Sequence, residues 1–236
     1  LTNDTSVPAR DLYGLFGFEG DDVYAVGDRG AIVHYDGHKW LAMSVAGPRL
    51  IQADLRGVAG ILQDDAPPLV AIGGLASAAL TLEDGAWRDT VPGVTADLHA
   101  VSVDSDGAVV AVGSRGTVLR AKNGRIGALE SGVDTDLWGV SGGIAAGVDG
   151  VILSIDDAVV ERIPNPSIRT LFDVAQGNAV TWIVGQAGTL LRLSDGVVEL
   201  VTTDLGADLR AVTETPDQTL FVGGAAGGIW TQSNGR

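Results

Sequence analysis

Apolar and polar residues alternate along this chain in blocks too short for helices. Between Asp11 and Met43 the first block, Asp11 to Phe18, mixes apolar residues with glycine and is followed by the polar cluster Glu19-Gly20-Asp21-Asp22. A second apolar run, Val23-Tyr24-Ala25-Val26, ends at Gly27-Asp28-Arg29-Gly30, and a third, Ala31-Ile32-Val33-His34-Tyr35, ends at Asp36-Gly37. Aspartate-glycine between apolar runs is a strong hairpin signal, and Trp40-Leu41-Ala42-Met43 then forms a fourth strand. Four strands in about 40 residues leave no room for a helix, and helical periodicity is absent.

The whole block recurs. Asp11-Leu12-Tyr13-Gly14-Leu15 returns as Asp54-Leu55-Arg56-Gly57-Val58, Asp97-Leu98-His99-Ala100-Val101 and Asp136-Leu137-Trp138-Gly139-Val140. It continues as Thr170-Leu171-Phe172-Asp173-Val174 and Asp208-Leu209-Arg210-Ala211-Val212, the leucines lying 43, 43, 39, 34 and 38 residues apart. That period suits one four-stranded propeller blade, which cannot bury its apolar faces without neighbours. The prediction is all-β: one domain over residues 1–236, a six-bladed β-propeller of four-stranded antiparallel blades with repeats starting near 11, 54, 97, 136, 170 and 208. Blade six ends after its outer hairpin without a fourth strand. Residues 1–7 are in phase with an outer strand and are expected to pair with the third strand of blade six, covering its open edge.

Two further markers support the repeat. Gly-x-x-Gly separates strands two and three at Gly27/Gly30, Gly113/Gly116, Gly147/Gly150, Gly185/Gly188 and Gly224/Gly227, while blade two departs from it at Gly73-Gly74-Leu75-Ala76-Ser77. Both glycines are expected to serve a tight turn needing positive φ. A phosphate-cradling role is disfavoured, because each loop leads into a strand and not into a helix N-terminus. The outer hairpins carry Asp36-Gly37, Asp84-Gly85, Asn123-Gly124, Asp195-Gly196 and Asn234-Gly235, with Trp40 and Trp87 expected to pack over a neighbouring sheet.

Composition narrows the function. The formal net charge is −15, with 13 arginines and only 2 lysines, and such a field repels phosphate backbones, so nucleic acid is not an expected partner. There is no cysteine, which excludes disulfides and thiolate metal sites. No apolar run is long enough to span a bilayer, so membrane insertion is not expected.

With these repeats in view, Asp-Leu-x-Gly-Val, then Asp-Asp-Val-Tyr-Ala-Val-Gly-Asp-x-Gly-x-Ile, then Asp-Gly-x-x-Trp resembles the repeats of bacterial propeller proteins of the photosystem II assembly-factor-like group. The resemblance covers all six repeats, most closely residues 11–40. The hairpin Tyr35-Asp36-Gly37-His38-Lys39-Trp40 is also similar to the Asp-box of sialidase-type propellers, without its serine and the residue between Asp and Gly. The resemblance implies a propeller that binds or scaffolds, in or beyond the bacterial cell envelope. It carries no catalytic residue to this chain, and the assembly factors have more blades than six.

Catalytic constellations are weak. His34 and His38 straddle a strand and a hairpin instead of sharing a helix face, so no metal site is expected. Gly139-Val140-Ser141-Gly142-Gly143 resembles a serine-protease motif but lies on an inner strand without the preceding aspartate. Asp104-Ser105-Asp106-Gly107 is half of a calcium-loop pattern and lacks its closing glutamate. Acidic residues stand mostly at repeated turns, where aspartate bonds its own backbone, so no glycosidase pair stands out.

The informative set is the residue after each repeat Asp-Leu or Thr-Leu: Tyr13, Arg56, His99, Trp138, Phe172 and Arg210. The framework around this slot is nearly fixed, while the slot itself varies and holds only large or hydrogen-bonding side chains, of types enriched in binding hot spots. In a propeller these six would gather near one mouth of the central channel, either as a ligand site or as packing between blades. Asp11, Asp54, Asp97, Asp136 and Asp208 begin the same strands, and Arg29 and Arg115 lie in turns at the same end. They form either a ring of aspartate-to-turn hydrogen bonds or ion pairs, or a cation-binding ring. The expected function is a non-catalytic binding or scaffolding module for a protein, peptide or small glycan, monomeric, without cofactor, and extracellular or periplasmic. The alternatives are a carbohydrate-active hydrolase or lyase using acidic residues at the mouth, and a purely structural repeat domain of a larger surface protein.

Overall fold

In the computed structural model the described residues are 10–46, 52–63, 66–76, 78–83, 86–89, 95–104, 106–122 and 125–233. They build six sheets in chain order, the blades of a six-bladed β-propeller, and the only helical pieces are single 3-10 turns. Blade one comprises β1 (Leu12–Glu19), β2 (Asp22–Gly27), β3 (Ala31–Tyr35) and β4 (Trp40–Ala42). After β5 (Val45–Ala46), blade two follows with β6 (Leu55–Gln63), β7 (Ala66–Gly74), β8 (Ala79–Glu83) and β9 (Ala86–Asp89). Blade three is β10 (Leu98–Val103), β11 (Val109–Gly113), β12 (Val118–Lys122) and β13 (Arg125–Leu129), and blade four is β14 (Leu137–Ser141), β15 (Ile144–Gly147), β16 (Ile152–Asp156) and β17 (Val159–Arg162). Blade five is β18 (Leu171–Gln176), β19 (Thr181–Gly185), β20 (Leu190–Ser194) and β21 (Val197–Val201); blade six shows β22 (Leu209–Glu214), β23 (Thr219–Gly224) and β24 (Ile229–Ser233). The expected closing strand, residues 1–7, lies outside the described residues.

Blades one, three, four and five are four-stranded antiparallel meanders, as expected. Blade two differs: β5 joins its outer edge as a fifth strand, parallel to β9, with Val45 opposite Trp87 and Ala46 opposite Arg88. The segment from blade one to blade two, 43–54, is longer than its counterparts 163–170 and 202–208, and Val45 and Ala46 within it run along β9.

Contacts divide the chain into two compact units, Leu1–Gly113 with Leu119–Ala128, and Ser114–Val118 with Leu129–Arg236. Within each unit repeat leucines wedge between blades, although Leu12, in blade one, is 50% exposed. In the first, Leu55 packs among Tyr24, Val26 and Ile32 of blade one; in the second, Leu171 packs on Ala146 and Ile152 of blade four, and Leu209 on Val184 and Leu190 of blade five. All three are fully buried, a burial of about 2–3 kcal/mol each. The second strands of blades three and five are covered on both faces, at Val110-Ala111-Val112 and Ile183-Val184, so their sequence is a continuous apolar run without alternation. Trp87 is fully buried, meets the Tyr24 ring edge-on with centroids 6.1 Å apart, and donates its indole N–H to the Met43 sulfur at 3.4 Å. Trp40 instead lies tilted on Tyr35 of its own blade, centroids 5.4 Å apart.

Candidate functional site

The Gly-x-x-Gly turns have one geometry with two separate demands. The second glycine has positive φ, as at Gly116 (67°), but so does the residue before it, Arg115 (56°). The first glycine does not: Gly27 has φ −174°, which is extended backbone open to any residue. Its requirement is space, because a Cβ on Gly27 would lie 2.0 Å from the Asp11 carbonyl oxygen, and one on Gly113 would lie 1.8 Å from that of Asp97. The expectation that positive φ explains both glycines is therefore corrected for the first. The close approach lets the turn bond back to the inner strand: the Asp28, Val148 and Ala225 N–H groups donate to the carbonyls of Asp11, Asp136 and Asp208 at 2.8–2.9 Å.

In four of the turns the left-handed residue presents its N–H to the next blade, and the repeat aspartate receives it. Within the first unit, Arg29 N–H donates to Asp54 Oδ1 at 3.2 Å and Ala76 N–H to Asp97 Oδ1 at 2.7 Å. Within the second, Arg115 N–H donates to Asp136 Oδ1 at 3.0 Å and Ala187 N–H to Asp208 Oδ1 at 3.0 Å. A left-handed non-glycine residue costs about 1 kcal/mol or more, and a charge-assisted bond to the neighbouring blade offsets it. Four of the five repeat aspartates are thus latches between blades. Blade five has Thr170 in place of aspartate, and there Asn165 bridges instead, donating to the Gly150 carbonyl at 2.9 Å and accepting from Ser167 N–H at 3.1 Å.

The variable residue of each repeat occupies a backbone irregularity that recurs six times. The ladder between first and second strands slips between Leu12 and Gly14, and the same slip falls between Leu55 and Gly57, Leu98 and Ala100, Leu137 and Gly139, Leu171 and Asp173, and Leu209 and Ala211. Tyr13, Arg56, His99, Trp138, Phe172 and Arg210 are therefore the extra residues of six β-bulges. A bulged residue has no ladder partner and its side chain is re-aimed, which frees the slot to vary while its neighbours stay fixed. Tyr13 is 42% exposed and Trp138 38%, large values for rings.

Four of the six meet in pairs across adjacent blades. In the first unit the Arg56 guanidinium lies over the Tyr13 ring at 4.3 Å and bonds Asp54 at 3.2 Å. In the second, the Arg210 guanidinium lies over Phe172 at 4.0 Å and bonds Asp208 at 2.8 Å. Each arginine is held between a ring of the preceding blade and the latch of its own, and Arg56 Nε is buried without a hydrogen-bond partner. His99 belongs to the first unit and Trp138 to the second. Two residues absent from the expected set join this end of the blades. Arg10 donates to the carbonyls of Asp28 and Arg29 at 3.3 and 2.9 Å, and Arg169, in the same repeat slot, donates to that of Ala187 at 2.9 Å. Arg29 itself is paired with Asp28 at 2.9 Å, and this bond holds the Asp28 carboxyl below its ordinary value.

Asp173 is a further residue that sequence reasoning passed over. It fills the slot that the other repeats give to Gly14, Gly57, Ala100, Gly139 and Ala211. Its carboxylate accepts N–H bonds from Val174 of its own strand and Val212 of blade six, both 2.9 Å, and burial pushes its pKa up to about 6. The departure from a small-residue slot was the signal available in the sequence.

The other chemical candidates are structural. Ser141 Oγ, in the protease-like motif, accepts the Gln176 N–H at 3.1 Å. Asp106 pairs with Lys122 and stands 3.7 Å from Arg120, which gives its carboxylate cationic partners within the protein. His34 Nε2 lies 2.7 Å from Asp22 while its ring stacks on Tyr24. Among the described residues no three His, Asp or Glu side chains are grouped to hold a metal ion, and no helix is long and apolar enough to cross a membrane.

No family model matches the chain, and no curated protein matches it by sequence. Solved structures do match by fold. The chain is similar to YCF48 from Cyanidioschyzon merolae, with TM-score 0.67 and 15% identity, over 99% of this chain and 85% of that one. It is similar to YCF48 bound to D1 peptide, with TM-score 0.70 and 14% identity, over 96% and 80%. A streptogramin B lyase gives TM-score 0.74 and 14% identity, over 99% and 86%. At these identities the likeness is one of fold, and it fits the resemblance to photosystem II assembly-factor-like propellers read from the repeats.

Proposed function

We propose that this propeller is a non-catalytic binding or scaffolding module that takes a short segment of a partner protein at the end of the blades where the inner strands begin. The observation that carries the reading is the sixfold bulge, which gives every blade one re-aimed, variable, large side chain in an otherwise fixed framework. In each unit a ring with an arginine stacked on it, Tyr13 with Arg56 in one and Phe172 with Arg210 in the other, offers an apolar surface beside guanidinium N–H groups, a combination suited to peptide backbone carbonyls and carboxylates. The solved YCF48 complex with a D1 peptide supports a peptide as the ligand class.

The rival reading, a hydrolase or lyase using acidic residues at this end, has the streptogramin B lyase as a fold neighbour. It is less well supported, because Asp54, Asp97, Asp136 and Asp208 already accept inter-blade N–H bonds. Export from a bacterial cell and a monomeric state belong to the proposed reading, and cell fractionation and sedimentation test them.

The deciding experiment is a peptide and glycan array with the purified protein, followed by titration of the best ligand against Trp138→Ala and Arg210→Ala. Each change should weaken binding by about 1–3 kcal/mol. Unchanged affinity in both, together with lowered thermal stability, would reduce the six residues to inter-blade packing. Turnover of an arrayed compound, abolished by changing one of the six, would establish the enzyme instead.

A further inference from the structure

Of the outer strands of blades two to five, three carry a charged residue at one of two positions along the edge and one carries none at either. In the first position after the outer hairpin, blades two, three, four and five place Ala86, Arg125, Val159 and Val197, and three positions later they place Asp89, Ala128, Arg162 and Leu200. Charged residues on an edge strand discourage another strand from pairing with it. Blade five has none at either position. Val197 and Leu200 are each 59% exposed on a five-residue strand, Val-Val-Glu-Leu-Val, whose one charge, Glu199, is held by Arg192 at 3.2 Å. Among the described residues β21 pairs with β20 alone, which leaves the N–H and C=O groups along its other side open.

Blade two shows that an outer strand of this protein takes a fifth strand even where its edge carries Arg88 and Asp89. There β5 lies parallel along β9, and Val45 joins the cluster in which Trp87 is buried. In blade five the corresponding segment, 202–208, is too short to do this, and Thr203 instead bonds the Gly188 carbonyl at 3.0 Å. We propose that the open edge of β21 is a docking surface for a partner protein, which adds an extended, β-branched segment flanked by lysine or arginine as a fifth strand parallel to β21.

Charge selects this occupant over a second copy. Asp195 lies on the hairpin, Asp204 follows closely, and the whole chain carries −15, so two copies repel while basic flanks are attracted. Val197 and Leu200 point to opposite faces of the sheet, so the added strand covers both only if it is apolar along its centre. This surface is separate from the bulged residues and does not depend on the function proposed for them.

The probe is the labelled peptide Lys-Lys-Val-Thr-Val-Thr-Val-Lys-Lys, followed by fluorescence anisotropy with the full chain. It is compared with the same peptide N-methylated at alternate central residues, which keeps charge and side chains but blocks the ladder. Saturable binding is expected, at least about tenfold weaker for the methylated peptide. The double variant V197D/L200D should also bind at least about tenfold more weakly, although its two added carboxylates attract the probe more strongly. Both positions are exposed, and an unchanged melting temperature certifies the fold. Equal binding of both peptides, or undiminished binding by the double variant, would reduce the interaction to charge attraction and overturn the proposal. A dimer seen by sedimentation that the double variant abolishes would overturn the choice of partner.

Discussion

The seam between blades one and two and the seam between blades five and six share two devices and differ in a third. Each has a latch, Arg29 N–H to Asp54 in one and Ala187 N–H to Asp208 in the other, and each has an arginine stacked on the preceding blade's ring. They part at the residue after the bulge. Gly14 brings backbone against backbone, and a Cβ there would lie 3.0 Å from the Arg56 carbonyl oxygen and 3.3 Å from Gly57 Cα. Asp173 instead reaches across to the Val212 N–H. One seam gains from contact distance, the other from a charge-assisted hydrogen bond that carries a desolvation cost. Latch and stack follow from the repeat, while the third position is free to diverge only where the facing strand offers an N–H.

Exchanging the two solutions is the most disruptive way to break the comparison. Gly14→Asp forces a carboxylate toward the Arg56 carbonyl and Val26, whose Cγ2 would lie 3.1 Å from the new Cβ. Overpacking and an ill-paired charge together should cost about 2–4 kcal/mol, seen as a lower urea midpoint with an unchanged slope. A change of less than about 0.5 kcal/mol would show that the first seam has room the glycine does not use.

The second test is pH. The Asp173 carboxyl in the fold has a value of about 6 against an ordinary 3.8, so the folded chain holds that proton more readily than the unfolded one. Its contribution to stability is therefore fully present below about 3.8 and is lost as pH rises through about 6. The nearby charges of blade six, Arg210 and Asp208, pair with each other. The difference between wild type and Asp173→Asn, measured by urea unfolding between pH 4 and 7.5, should change by about 2–3 kcal/mol in that direction. Carboxyls whose values are lowered work in another window: Asp28 and Asp36 contribute stability above the ordinary value and lose it as pH falls below. A flat difference curve would mean Asp173 is ionised in the fold at no cost.

Much of this was legible in the sequence because a propeller repeats its local chemistry. The apolar runs fix the strands, Asp36-Gly37 fixes a hairpin, and the leucine period fixes the blades. What the period does not contain is lateral distance. Gly27 and Gly30 look equivalent as letters, yet one answers to the Asp11 carbonyl and the other to φ, a distinction that exists only once two strands are placed. The pairs of Arg56 with Tyr13 and Arg210 with Phe172 join neighbouring blades, so spacing along the chain could gather the six residues but not match them. The bulge was equally hidden, since a single slipped pair leaves the apolar pattern after it intact. β5 was missed because two residues, Val45-Ala46, carry no alternation to recognise.

A smaller effect is expected at the latches. Removing the carboxylate by Asp54→Ala or Asp208→Ala leaves a left-handed residue's N–H without its acceptor, and each should cost about 1–2 kcal/mol. Each change also frees its arginine, Arg56 or Arg210, so repeating each with the arginine changed separates the latch from the ion pair. Losses near zero in both would mean that the leucine wedges alone hold the seams.

The smallest effect sharpens the comparison most. Arg56→Lys and Arg210→Lys keep the charge beside Asp54 and Asp208 but remove the planar group lying on Tyr13 and Phe172, and stacks at partly exposed sites are worth about 0.5–1 kcal/mol. Arg56 is the less exposed of the two, with side-chain accessibility 35% against 55%, so its replacement should cost more in stability. Ligand binding should rank them the other way, because the more open guanidinium is the one a partner can reach. Thermal melts and a titration on the same four proteins, wild type, the two single variants and the double, give both orders at once. If stability and affinity fall together in the same rank, the arginines serve the seams alone; opposite ranks separate the group that closes a seam from the group that meets the ligand.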